Sequence, residues 1–271
     1  MDYIEPACPF DCSAFTGKPD TEPVEKSLNM SELIKQLDGF FAENKIQQAG
    51  EFLDKQLELS REIGDWRSEL SILSELMGFH RRSGNREKGI TAVNDGLKLI
   101  GEHGMGRTIS GATVILNAAT TLKCFGEPEN SIPMFIHVSR VYSQQLSPTD
   151  YRFAGLYNNM ALSYEDMGQY EQAEKYIKSA LRLLEKMEGN ENDMAASLCN
   201  LAEVYFQLDN EDERVEKCME EAWELLNCPK VKFDGYHAFT LTKCIPAFDY
   251  FGYFMYAKEL RERAERIYEG N

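Results

Sequence analysis

At 271 residues with 43% hydrophobic content, the chain is long enough to bury a substantial core. A net charge of -16, with no stripe of clustered Lys and Arg, excludes a nucleic-acid backbone as its main ligand. No apolar run is long enough to span a membrane, and Met1-Asp2-Tyr3-Ile4-Glu5 lacks the basic-then-apolar pattern of a secretory signal.

Residues 1–28 form a first segment. Pro6, Pro9, Pro19 and Pro23 rule out a regular helix there, yet Tyr3, Ile4, Phe10 and Phe15 are unusual for a solvated tail. Two readings stay open: an arm packed on the following helices as a cap, or a segment lying in their groove in the manner of a ligand. Cys8 and Cys12 lie close together, but no second Cys/His pair with ligand spacing accompanies them, and His80, His103, His137 and His237 are scattered. No metal site and no cofactor is expected. The cysteine total of seven is odd, and Cys124, Cys199, Cys218 and Cys244 fall within helical stripes, where a free thiol acts as a small buried hydrophobe. A reduced, cytoplasmic setting is the simplest expectation.

From about residue 29 to residue 271 the pattern changes to a repeat. Turn positions Asn44, Gly84, Gly126, Gly168, Asn210 and Gly252 recur every 40 to 42 residues. In the clearest copy, Tyr157, Met160, Ala161 and Tyr164 make one apolar stripe at helical spacing. Gly168 ends that helix, and Tyr170, Ala173, Tyr176, Ile177 and Ala180 make the stripe of a second. One such hairpin cannot cover its own apolar faces, so each needs a neighbour, and a period in this range marks a stacked array. Pro133 and Pro246 fall inside expected helices, where each removes a backbone hydrogen bond.

Ala161, Tyr164, Gly168, Tyr170, Ala173 and Ala180 resemble the tetratricopeptide repeat (TPR), as do Leu201-Ala202, Tyr205, Ala222 and Trp223 in the next copy. Weaker copies follow the same frame, so the resemblance covers roughly residues 30–269. Its period exceeds the usual ~34 residues, and the extra residues fall in stretches such as Gly101-Glu102-His103-Gly104, Ser147-Pro148-Thr149-Asp150 and Glu188-Gly189-Asn190. A period near 42 is similar to the repeats of kinesin light chains and their bacterial relatives. The resemblance implies an all-α, right-handed superhelical solenoid of about six helix–turn–helix repeats.

The register also nominates a site. Two residues before the small residue of each first helix stand Lys35, Glu75, Asn117, Asn159, Asn200 and Lys243. In tetratricopeptide proteins this position faces the concave surface, so Asn117, Asn159 and Asn200 are expected to form a ladder there. An Asn amide can pair with a peptide's N–H and C=O without reading its sequence, although it can equally tie adjacent helices together. Seven residues on come Ala42, Arg82, Cys124, Asp166, Gln207 and Tyr250, with Arg81, Lys123, Glu203 and Phe206 nearby. The expected groove is basic toward its N-terminal half and acidic toward its C-terminal half. The Lys and Arg pattern with which some family members grip a terminal carboxylate is missing.

No Gly-rich phosphate loop, Gly-x-Ser-x-Gly, His-Glu-x-x-His or paired-cysteine zinc frame occurs, so no enzyme is expected. Glu165 and Asp166 are adjacent, which points them about 100° apart on a helix and suits a solvated face better than acid/base chemistry. The reading is a scaffold or adaptor that binds a protein or an extended peptide. The alternatives are a peptide-sensing regulator of the Gram-positive type and an accessory or assembly subunit of an enzyme complex.

Overall fold

A computed structural model describes residues 17–43, 45–210 and 213–270. Among these residues there are twelve α-helices and no strand. They divide into two compact units, residues 1–146 and 147–271, each built from three helical hairpins. The fold is that of an all-α TPR solenoid.

Unit 1 contains α1 (Met30–Ala42), α2 (Ile46–Glu62), α3 (Trp66–Ser83), α4 (Arg86–Glu102), α5 (Ile109–Cys124) and α6 (Pro128–Gln145), with a 3-10 turn at Met105–Arg107. Unit 2 contains α7 (Arg152–Asp166), α8 (Tyr170–Leu184), α9 (Glu191–Leu208), α10 (Arg214–Leu226), α11 (Gly235–Tyr250) and α12 (Phe254–Tyr268). In each unit a first helix packs on its own hairpin partner and on the first helix of the next hairpin, as α3 does on α4 and α5, and α9 on α10 and α11.

The helix ends follow from their chemistry. Asn29, Asp65, Asn85, Thr108 and Asp234 each accept an orphan backbone N–H with the side chain. Pro128 opens α6, where its missing N–H costs nothing. Gly84, Gly126, Gly168 and Gly252 all take positive φ, between 68° and 84°, at the turns the repeat marked. Asn210 lies in the longer connection after α9, which leaves the helix through an extended Asp209 instead. The turn expected at Asn44 lies outside the described residues. Pro133 and Pro246 sit within α6 and α11, and both helices run on past them.

Ile72, Met77, Ile115, Phe135 and Tyr142 centre the core of unit 1; Leu156, Ile177, Leu241, Phe248 and Leu260 centre that of unit 2. Ala161, Ala173 and Ala180 have no exposed surface, as close helix contacts require. Hydroxyls buried in the helices return to carbonyls of their own helix: Thr121 to Asn117, Ser163 to Asn159 and Ser197 to Asp193. Cys199, Cys218 and Cys244 are buried as expected, but Cys124 is exposed. It is the last residue of α5, so no further turn covers it.

Of the first segment, Phe10, Phe15, Cys8 and Cys12 lie outside the described residues. Residues 17–28 run along unit 1. Asp20 receives the His103 Nδ1–H (3.0 Å), donates its own N–H to the His103 carbonyl (2.9 Å) and accepts Arg67 at its carbonyl (3.0 Å). His103 in turn stacks on Trp66 at 3.9 Å. Gly104 has φ +62°, and a Cβ there would stand 2.1 Å from the Lys18 carbonyl oxygen. The Leu28 N–H closes the strap on Asp65 Oδ2 (2.9 Å). Residues added to the repeat at 101–104 thus hold this strap.

Candidate functional site

In unit 1 the nominated residues stand on α3 and α5. Asn117 Nδ2 donates to Ser74 Oγ on α3 (2.8 Å). Arg81 Nη1 donates in the opposite sense, from α3 to the Asn117 carbonyl (3.1 Å) and to Thr121 Oγ1 (3.3 Å) on α5. Both side chains therefore stitch the two helices together. Burial pushes the Arg81 guanidinium below its ordinary pKa, although Arg at neutral pH stays charged. Arg82 projects outward, with its guanidinium 4.5 Å from the centre of the Phe41 ring on α1. Lys123 is half-buried in the last turn of α5. Glu75 lies midway along α3, where burial raises its pKa; Arg82 opposes that shift, Asp38 adds to it and Arg81 opposes it.

In unit 2 the corresponding positions behave differently. Asn159 Nδ2 donates to the Gly155 carbonyl of its own helix (2.9 Å). The tie between helices is made one residue earlier, where Asn158 Nδ2 donates to Ser197 Oγ on α9 (2.9 Å). Asn158 Oδ1 is left buried without a hydrogen-bond partner among the described residues. Asn200 is half-exposed on α9 and its amide has no hydrogen-bond partner among the described residues. Glu203 lies one turn on, half-buried. Phe206 meets Tyr250 of α11 edge to face at 5.5 Å, and Tyr250 is 63% exposed. On α11, Lys243 Nζ sits 4.2 Å from the centre of the Phe239 ring, and Pro246 is exposed one turn further along.

The structure thus separates three asparagines that the register made equivalent. Asn117 is an architectural tie, Asn159 is half-committed to its own helix, and Asn200 is free. Sequence reasoning passed over Asn158, whose role was signalled only by the Asn158-Asn159 doublet, and over Ser74 and Ser197, which decide what the asparagines do. Phe239 and Pro246 were likewise not nominated. Among the described residues no group of His, Cys, Asp and Glu is placed to hold a metal ion, and no helix is long and apolar enough to cross a membrane.

Comparison with known proteins agrees with this architecture. Residues 151–226 match the tetratricopeptide repeat family. The chain is similar in structure to BtubC (BKLC) from P. vanneervenii, with a TM-score of 0.54 at 15% identity over 84% of this chain and 91% of that one. It is also similar to the nearly identical TPR-like repeats of a Podosopora anserina kinesin light chain-type protein, with a TM-score of 0.53 at 15% identity over 74% of this chain and 95% of that one. A single-substitution form of the same repeats gives a TM-score of 0.54 at 15% identity, over 74% and 94%. No curated protein sequence matches the chain. The likeness to TPR repeats and to kinesin light chain-type solenoids is therefore one of family over the fourth and fifth hairpins and of fold over most of the chain.

Proposed function

We propose that this chain is a non-catalytic scaffold that holds an extended peptide or protein segment on the first helices of the hairpins of unit 2. TPR repeats generally serve protein interaction, which supports the coarse reading. The finer one rests on Asn200. A half-exposed amide with both donor and acceptor unspent offers a peptide backbone two hydrogen bonds, and the Phe206–Tyr250 ring pair on α9 and α11 of the same unit offers an apolar wall. Asn159, with its Oδ1 unspent, extends the same chemistry on α7. In unit 1, Asn117 and Arg81 are spent on tying α3 to α5.

The test is to select binding peptides from a random library on the intact chain, then compare Asn200→Ala and Tyr250→Ala with the parent. Each of its two hydrogen bonds is worth ~0.5–1.5 kcal/mol, so the Asn200→Ala affinity is expected to fall by about two- to twelve-fold for each bond lost. Thermal stability should hardly change, because the amide serves nothing inside the unit. Selected peptides that bind both variants as tightly as the parent would place the binding face elsewhere.

A further inference from the structure

The turn of the last hairpin, residues 250–256, is unlike the turns before it. It holds five aromatic residues and a methionine around Gly252, whereas the equivalent turns read Ser83-Gly84-Asn85, Phe125-Gly126-Glu127 and Met167-Gly168-Gln169. Those turns sit at the same place in their hairpins with at most one aromatic residue, so folding the hairpin does not call for five. Part of the cluster is spent inward. Tyr256 stacks on Trp223 of α10 at 4.0 Å, and Tyr253 lies against Tyr256 at 5.8 Å. Phe251 is half-buried against Phe206 at 5.7 Å, which leaves three side chains largely exposed: Tyr250 at 63%, Phe254 at 66% and Met255 at 76%. Single exposed apolar residues need no explanation, but a contiguous group on a rigid platform does.

The helix it stacks on is acidic. Within α10, Glu216, Glu220, Glu221 and Glu224 stand against Arg214 and Lys217, a net charge of -2. Two of these, Glu216 and Glu220 on α10, reach the aromatic turn electrostatically. The Tyr253 hydroxyl is pushed above its ordinary pKa by burial first, and then by those carboxylates. Rings and cations already associate in this unit, with the Arg214 guanidinium 3.8 Å from the centre of the Tyr205 ring.

We propose that residues 250–256, together with the acidic face of α10, form a docking surface for a positively charged segment of another protein that carries apolar side chains. The exposed rings and Met255 take its apolar side chains, and the carboxylates with the ring faces take its Lys or Arg. A second copy of this chain is a poor occupant, because it would bring its own carboxylates against those of α10. The surface shares Tyr250 with the peptide reading given above but rests on Phe254, Met255 and the α10 carboxylates, which that reading does not use, so either can fail without the other.

The test uses the intact chain and short synthetic peptides built from lysine, leucine and phenylalanine, read by calorimetry. Controls are the same peptide with glutamate for every lysine, and polylysine. The cationic apolar peptide is expected to bind and the glutamate version not to bind, with polylysine weaker than the first. Phe254→Ser combined with Met255→Ser should weaken binding by about ten-fold or more, from the apolar burial lost. Glu216→Gln combined with Glu220→Gln should weaken it too, and more at low salt than at high. The proposal is overturned if the cationic apolar peptide fails to bind, if the glutamate version or polylysine binds as well, or if the serine pair changes nothing. Should the serine pair fail to fold, the glutamine pair decides alone. A dimer in sedimentation that the serine pair dissolves would assign the surface to a second copy and likewise overturn it.

Discussion

Ala173 and Ala180 show what the repeat demands of a single residue. Both are fully buried on α8, so there is no space for added methylenes. Ala173→Leu is expected to cost ~1–3 kcal/mol through overpacking, visible as a lower midpoint in thermal denaturation; an unchanged midpoint would refute the packing. His237 carries a different constraint. Its Nδ1–H donates to Asn192 Oδ1 (2.7 Å), while Nε2 is buried with no partner among the described residues. Burial, reinforced by Arg263 and only partly offset by Asp234, lowers its pKa from 6.5 to about 4. The unfolded chain therefore binds a proton that the folded chain refuses in this interval. The stabilisation is complete above pH 6.5 and is lost as pH falls toward 4, by on the order of 2–3 kcal/mol. Denaturant titrations across that window should show a shallower pH slope for His237→Gln than for the parent. Equal slopes would mean that His237 is not the group involved, leaving His80, also lowered by burial, as the next to replace. At this scale the sequence was informative about volume and silent about partnership. The alanines could be placed from spacing alone, whereas the fate of Asn117 depends on Ser74 and that of Asn158 on Ser197, pairs that only the stacking of hairpins brings together.

Helix ends show where that legibility begins and stops. The turns at Gly84, Gly126, Gly168 and Gly252 were readable because positive φ selects glycine locally, whatever the helices pack against. The double duty of Asp65 was not readable. Its Oδ1 caps α3 by accepting Ser68 N–H (3.2 Å), and its Oδ2 accepts Leu28 N–H from the strap. Asn85 caps α4 through Lys88 N–H (3.1 Å) at an exposed position. Each cap should be worth ~0.5–2 kcal/mol, but Asp65→Ala also strands a strap donor. It is therefore expected to destabilise more than Asn85→Ala, and to speed amide exchange at residues 20–28 where Asn85→Ala does not. Equal losses in the two variants, with no change in exchange, would show that the strap draws nothing from Asp65. Exposure of Cys124 and of residues 250–256 escaped sequence reasoning for a related reason: an apolar stripe announces what could be buried, not whether a neighbour covers it.

In an array of hairpins, stability is a sum of each unit's own folding and its contacts with neighbours, so it need not be uniform along the chain. Within unit 2, α9 packs on α7, α8, α10 and α11, whereas α12 packs chiefly on α11. Within unit 1, α3 packs on α2, α4 and α5, and α5 on α3, α4 and α6, whereas α1 packs chiefly on α2. Opening α1 or α12 breaks one main interface; opening α9 breaks four. Native-state hydrogen exchange should accordingly show two maxima of protection, one over α3 and α5 and one over α9, with α1 and α12 exchanging through local opening at much lower free energy. The aromatic turn makes a further distinction possible. Two contacts tie α12 to α10: the Trp223–Tyr256 stack at its start and, two turns on, the buried Arg263, which donates to the Leu226 carbonyl (3.0 Å), so protection within α12 should fall only beyond Arg263, toward Tyr268. Tyr256→Ala should lower protection over the first turns of α12 while leaving α9 unaffected. A single exchange rate shared by all twelve helices would instead mean that the hairpins unfold as one cooperative body, and the nearest-neighbour account of this molecule would fail.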